Sequence, residues 1–160
     1  MKIVVFSDSH GDYHRLWGLV QLHMDDTDIF IHLGDGRREF LEIADSLPEK
    51  KMLSVPGNCD IGTGPAASVA VLDVNGKRIL YTHGHTCRVK DGLDVLRDRA
   101  LAQDADMALF GHTHNALSRF DGRLYMFNPG SLIRGFGGIK PTYGIIEILE
   151  GEIRPRIITL

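Results

Sequence analysis

Short apolar runs recur along the whole chain, at residues 3–6, 28–33, 51–55, 69–74, 78–82, 107–110, 124–127 and 143–149. Their length and their β-branched and aromatic content predict strands. Between the first three runs the apolar period lengthens. Tyr13, Leu16, Trp17, Val20 and Met24 share one helical face, and Phe40, Ile43, Ala44 and Leu47 share another. A third helix is predicted over residues 91–103, with Leu93, Leu96 and Ala100 on its buried side. The chain therefore opens as βαβαβ. In its second half, Asn75-Gly76, Asp121-Gly122 and Glu150-Gly151 each separate two apolar runs and tolerate the positive φ of tight turns, so hairpins are predicted there. No repeat or linker divides the chain, and residues 1–160 are expected to form one α/β domain. The segment 134–141 carries Gly135, Gly137 and Gly138 but lacks the lysine and hydroxyl pattern of a phosphate-cradling loop. It reads as a plain connection rather than a lid.

Composition narrows the picture. The 160 residues include 18 basic and 21 acidic side chains, a formal charge of -3, so no global positive field exists to attract nucleic acid or an anionic membrane. No run approaches the roughly 18 apolar residues of a spanning helix. The opening apolar run ends at Ser7-Asp8, before a secretion signal could form, and a cytoplasmic location without membrane contact is expected. Cys59 and Cys87 are the only cysteines and form no CxxC pair, which fits a reducing compartment.

The candidate chemistry lies just after the strand runs, at Ser7-Asp8-Ser9-His10, Gly34-Asp35, Gly57-Asn58-Cys59-Asp60, His83-Gly84-His85, Gly111-His112-Thr113-His114 and Asn128-Pro129-Gly130-Ser131. Ligands of open α/β sheets bind beyond the carboxyl ends of strands, so these clusters are expected on one rim. Five of the eight histidines fall in them. Any one cluster could be structural; Asp8-Ser9-His10, for example, could cap the first helix. Together, their carboxylate, imidazole and amide oxygen donors suit Mn, Fe, Co, Ni or Zn, and a carboxylate can bridge two ions. Spacing alone leaves His83 and His85 equivalent. Elsewhere His14 and His23 read as surface or partly packed residues, and His32 as a hydrogen-bonded core histidine or a support for the site.

These clusters, in this order, resemble the DxH, GD, GN(H or C)D, strand-terminal His and GHxH motifs of the calcineurin-like metallophosphoesterases, in particular their short bacterial and archaeal phosphodiesterase branch. The resemblance covers nearly the whole chain. It implies a two-sheet β sandwich flanked by helices, and a pair of divalent ions, manganese first and nickel, iron, cobalt or zinc otherwise. It implies that Asp8, His10, Asp35 and His114 hold one ion, and that Asp35, Asn58, His83 and His112 hold the other. Such paired ions activate a shared water for in-line attack on phosphorus. Catalytic parts are expected for Asp35 as the bridge, for Asn58 as a ligand, for Asp60 in orienting a ligand or water, and for His85, or else a metal-bound water, as an acid. Many phosphatases of the superfamily carry histidine where this chain has Cys59. A thiol is a poor acid, so esters with good leaving groups are expected to be favoured. Cys59 itself is expected to pack as a small buried residue behind the site.

The implied activity is hydrolysis of a small phosphate ester, a diester before a monoester. A non-catalytic scaffold like the retromer subunit of this fold is the alternative, weakened by the complete ligand set. A nuclease would need a basic track; Arg37, Arg38, Arg88, Lys90, Arg134 and Lys140 lie near the motifs, but most are expected to be solvated. Exposed sheet surface leaves a homo-oligomer open.

Overall fold

Strand β1 (Lys2–Phe6) sends Ile3 and Val5 to one face and Val4 and Phe6 to the other, and all four are buried. Alternation by two, with both faces covered, sets the layering of the molecule. The computed structural model describes residues 1–64, 66–134 and 138–160. In chain order the remaining elements are α1 (Tyr13–Leu22), β2 (Ile29–His32), α2 (Arg37–Asp45), β3 (Lys51–Ser54), β4 (Val69–Val74), β5 (Lys77–Thr82), α3 (Asp94–Leu101), β6 (Met107–Leu109), β7 (Leu117–Phe120), β8 (Tyr125–Asn128), β9 (Thr142–Leu149) and β10 (Glu152–Thr159). One sheet has the order β10-β9-β1-β2-β3 and the other β4-β5-β6-β8-β7. This is the α/β sandwich that the motif order implied.

Ile3, Val5, Ile29 and Ile31 of the first sheet pack against Ile79, Tyr81, Met107, Leu109 and Phe127 of the second, forming the central core. Val4, Phe6 and Phe30 face outward onto Leu16 and Val20 of α1 and Phe40 and Ile43 of α2. On the opposite side, Leu80, Ala108 and Met126 meet Leu96 and Ala100 of α3. Each fully buried Phe, Ile or Leu contributes about 1.5–3 kcal/mol relative to an exposed one, so these three clusters hold both sheets and all three helices in place.

Two strands lie outside the eight predicted runs. β7 is mostly exposed, and without a buried alternation it gives little signal. β10 contains Pro155, which cannot donate to a ladder; the strand forms because it lies at the sheet edge, paired only with β9. The β4–β5 and β9–β10 turns have left-handed residues at Asn75 and Gly76 and at Glu150 and Gly151, as two-residue hairpins require. The connection at 134–141 falls partly on residues 135–137, outside the described residues. Among the described residues, no helix is long and apolar enough to cross a membrane.

The strand directions place the site. β1, β2 and β3 run parallel, as do β5, β6 and β8. Within each sheet, their carboxyl ends and the polar clusters that follow therefore emerge at one rim.

Candidate metal centre

His83 directly follows β5 with its ring buried, and its Nδ1 lies 2.8 Å from the Leu33 carbonyl oxygen. A carbonyl only accepts, so Nδ1 carries the proton and a neutral His83 presents a bare lone pair at Nε2. That lone pair meets Asn58 Oδ1 at 3.2 Å, His112 Nδ1 at 3.1 Å and Asp35 Oδ2 at 3.5 Å. Four acceptors thus converge with no donor among them unless a proton or a metal cation sits between. The same arrangement recurs beside it. His114 Nε2 is 3.1 Å from Asp8 Oδ1 and 3.2 Å from His10 Nε2, and the buried Asp8 Oδ1 has no hydrogen-bond partner unless His114 Nε2 carries a proton.

Donor atoms of Asp8, His10 and His114 lie within 4.8 Å of one another, as do those of Asp35, His83 and His112, and those of His10, Asp35 and Cys59. Asp35 belongs to two of these groups and therefore stands between the two halves of the site. The fit to divalent cations is good: carboxylate, imidazole and amide oxygen predominate. Cys59 adds a sulfur, but burial and the nearby Asp35 carboxylate push its thiol pKa upward and disfavour thiolate.

The electrostatics favour ligand protonation states. Burial opposes charge on Asp8 and Asp35, but His114 and His83 outweigh it and hold both carboxyls below the ordinary range. Burial, reinforced by the charge of His83, pushes His112 down to about 4, so its imidazole is neutral. His83 is raised despite burial by Asp35 and Asp8, and His114 is raised by Asp8 against its own burial. Cation binding competes with protonation of these two imidazoles, since a ligand nitrogen must be deprotonated.

The backbone is bent to aim these side chains. Asp8, His10, Asp35, His112 and His114 all have φ between 45° and 65°, a left-handed conformation that costs a non-glycine residue about 1–3 kcal/mol. Glycines permit the close approach between loops. A Cβ on Gly57 would lie 2.1 Å from Asp35 Oδ1, and one on Gly111 would lie 2.0 Å from Ser7 Oγ.

A layer of hydrogen bonds holds the bent loops. Asp60 Oδ2 accepts from the N–H groups of Asp35 and Gly57, both at 2.7 Å, and Oδ1 accepts from Gly36 at 3.0 Å and Arg37 at 2.9 Å. Its carboxylate thus ties the Asp35 loop to the Asn58 loop at the start of α2 and does not join the ligand groups. Asp8 Oδ2 accepts from Ser7 Oγ and from the His112 N–H. His32, fully buried, accepts at Nδ1 from Gly34 N–H, so its Nε2 donates to Ser9 Oγ, which donates to Glu39 Oε1. Glu39 Oε1 also takes the Gly11 N–H at 2.7 Å, holding both sides of His10. Asn128 Nδ2 donates to Gly111 O and Thr113 Oγ1, and Ser131 Oγ donates to Asp8 O. Of these supports, sequence reasoning placed Ser7 and Ser9 in the first polar cluster without giving them this role, and missed Glu39, whose only cue was a polar side chain near a motif.

Cys59 is the correction. It is exposed at the rim rather than buried behind the site, because its N–H must reach Asp35 Oδ1 at 2.8 Å. His85 has a ring 5.3 Å from His83 and 6.1 Å from His112, outside the ligand groups, with a buried Nδ1 that finds no partner. Burial and His83 lower its pKa. His14 is exposed, and His23 is half-buried with its Nε2 2.9 Å from the Tyr143 hydroxyl. Three of the four arginines near the motifs are engaged: Arg37 with Ser54 and Thr63, Arg38 with Glu42, and Arg88 with Asp91, while Arg134 is exposed.

Residues 1–151 match the Calcineurin-like phosphoesterase superfamily domain, and the chain belongs to this family. It is 34% identical over 132 residues to the probable metallophosphoesterase YsnB of Bacillus subtilis, covering 82% of this chain and 75% of that one. It is 28% identical to the phosphodiesterase YfcE of Escherichia coli K12, over 92% of this chain and 88% of YfcE. Among solved structures, a predicted phosphoesterase of Streptococcus pneumoniae superposes with a TM-score of 0.84 at 27% identity, covering 99% and 88% of the two chains. The zinc complex of Vps29 from Entamoeba histolytica shares the fold, with a TM-score of 0.76 at 20% identity and 99% of each chain covered.

Proposed function

We propose that this metallophosphoesterase is a divalent-metal-dependent phosphodiesterase that hydrolyses a small phosphate diester. The observation that carries the reading is the gathering of carboxylate, imidazole and amide donor atoms of Asp8, His10, Asp35, Asn58, His83, His112 and His114 within ligand distance of one another, the set that divalent cations take. In this reading Asp8, His10, Asp35 and His114 hold one ion, and Asp35, Asn58, His83 and His112 hold the other, with manganese the first choice. When bound, such ions supply Lewis acidity and lower the pKa of a shared water.

The protein's own groups do the rest. The neutral His112 and the ionised Asp8 and Asp35 present ligand lone pairs at neutral pH. Asp60 and Glu39 keep the ligand loops in their left-handed geometry, so little reorganisation is needed as charge develops. His85, whose ring lies 5.3 Å from that of His83 and outside the ligand groups, is in this reading the acid at the edge of the site. Arg37, Arg38 and Arg88 are tied to partners within the chain, which argues against their forming a basic track for a polynucleotide. The exposed, unpaired Cys59 fits a reducing cytoplasm.

Preference for a diester rests on the likeness to YfcE, named a phosphodiesterase. It is tested by comparing manganese-loaded protein on bis(p-nitrophenyl) phosphate and p-nitrophenyl phosphate; a higher kcat/KM on the monoester would reverse it. The second reading is a non-catalytic metal-binding scaffold, favoured by the fold shared with zinc-bound Vps29.

A further inference from the structure

Beside the ligand loops lies a cavity of about 510 Å³, a volume within the range of small-molecule sites. Its walls are Val89, Leu93, Phe110, Ala116 and Leu117. Two observations join it to the metal centre. Thr113, which also lines it, sits between His112 and His114. Val89 closes against Gly84, between His83 and His85, where a Cβ would come within 2.8 Å of the valine Cγ2. Lys90 stands at the same cavity, exposed, with no ion pair among the described residues. Its charge is felt by both His112 and His114.

The other cleft at the ligands, of about 380 Å³, differs in character: it is lined by His10, Asp35, Cys59 and Asp60, and its cation, Arg38, is already paired with Glu42. An apolar cavity next to an ion site, with one free cation beside it, matches a ligand that is anionic at one end and apolar at the other.

We infer that this cavity is a specificity pocket that receives an aromatic or similarly apolar ester group of the substrate, while Lys90 pairs with the phosphate anion held at the metal centre. The assignment rests on the phosphoesterase reading for the place of the phosphate. The substrate class is then an aryl or otherwise apolar phosphate ester, and not a small polar alcohol ester. Val89, Leu93 and Leu117 set the preference by excluding water around the group, and Thr113 couples the pocket to the ligand loop.

The test uses phosphonates, which bind without being hydrolysed. Calorimetry on metal-loaded protein compares phenylphosphonate with methylphosphonate, and the expected preference for phenyl is about tenfold or more. Leu93→Asn puts a favoured N-cap residue at the start of α3, where leucine makes no side-chain cap, while removing an apolar wall, and Ala116→Trp fills an exposed edge of the pocket. Both variants should retain wild-type metal content and reduce the preference to about threefold or less. Lys90→Ala should weaken both phosphonates by a similar factor, about tenfold. Equal affinity for the two wild-type ligands, a preference that survives both pocket variants, or no binding of either phosphonate would overturn the assignment. Selective phenylphosphonate binding by a protein that hydrolyses no ester would uphold the pocket and remove the catalytic reading instead.

Discussion

His10 and His114, 104 residues apart in the chain, bring their Nε2 atoms to 3.2 Å of each other next to Asp8. Two imidazole nitrogens at that distance share one proton or face one cation. The same problem is posed at His83 and His112, and Asp35 stands between the two sites. Asp35→Asn is expected to weaken both ions and lower kcat/KM on a diester by about a thousandfold or more, whereas His112→Ala should deplete mainly one. Metal analysis of the purified variants checks this; wild-type metal content in Asp35→Asn would remove Asp35 from the bridging position.

In the proposed reading, Cys59 occupies the place where a protonated imidazole would assist departure of the alcohol. Its thiol pKa is raised by burial and by Asp35, so it holds its proton at neutral pH and gives it up poorly. Diesters that share one retained group and differ in leaving-group pKa should therefore show a steep fall in kcat as that pKa rises, of about tenfold per unit or close to it. A flat series would mean that another acid, His85 foremost, supplies the proton, and His85→Ala would then steepen it.

His32 makes acid stability a test of the layer beneath the metal loops. Burial pushes its pKa from 6.5 down to about 4. As pH falls through 6.5 the unfolded chain takes up this proton first. The stabilising contribution is therefore complete above 6.5 and lost progressively toward pH 4, by up to about 3 kcal/mol. His83 and His114 are raised and act in the opposite direction, so the comparison to make is urea unfolding of the metal-free wild type against His32→Gln. The difference in stability between the two should shrink from pH 7 to pH 4.5; a constant difference would contradict this account of the buried imidazole.

Asp60→Asn is isosteric but offers one acceptor oxygen where four backbone N–H groups now point at two. Either amide orientation leaves two N–H groups facing an NH₂, at a cost of roughly 2–4 kcal/mol. Metal affinity should fall about 10- to 100-fold. Thermal denaturation and metal titration measure the two effects, and an unaltered affinity would separate Asp60 from the site.

Much of this site is legible in the sequence because each ligand cluster directly follows an apolar strand, as Asp8 follows Phe6 and Gly111-His112 follows Phe110. Strand direction then gathers them without further information. What is not legible depends on contacts across the fold. Glu39 is one of several acidic residues on an amphipathic helix, and only packing of α2 against β1 and β2 brings it under Ser9 and Gly11. The exposure of Cys59 defies the general tendency of free cysteine to be buried, since its backbone, not its thiol, is what Asp35 uses. The Glu150-Gly151 turn announces a strand after it, but the extent of β10 is obscured by Pro155, because edge position, which tolerates proline, is a property of the assembled sheet. The left-handed backbone at five ligands is hinted at by neighbouring glycines but fixed only by the hydrogen bonds around them.

The most direct test strips the protein of metal and follows hydrolysis of bis(p-nitrophenyl) phosphate while Mn²⁺ is titrated back. Turnover should rise from near zero and level off as two ions bind per chain. Tight manganese binding with no turnover on any activated ester, or full turnover in the stripped protein, would contradict a metal-dependent phosphodiesterase.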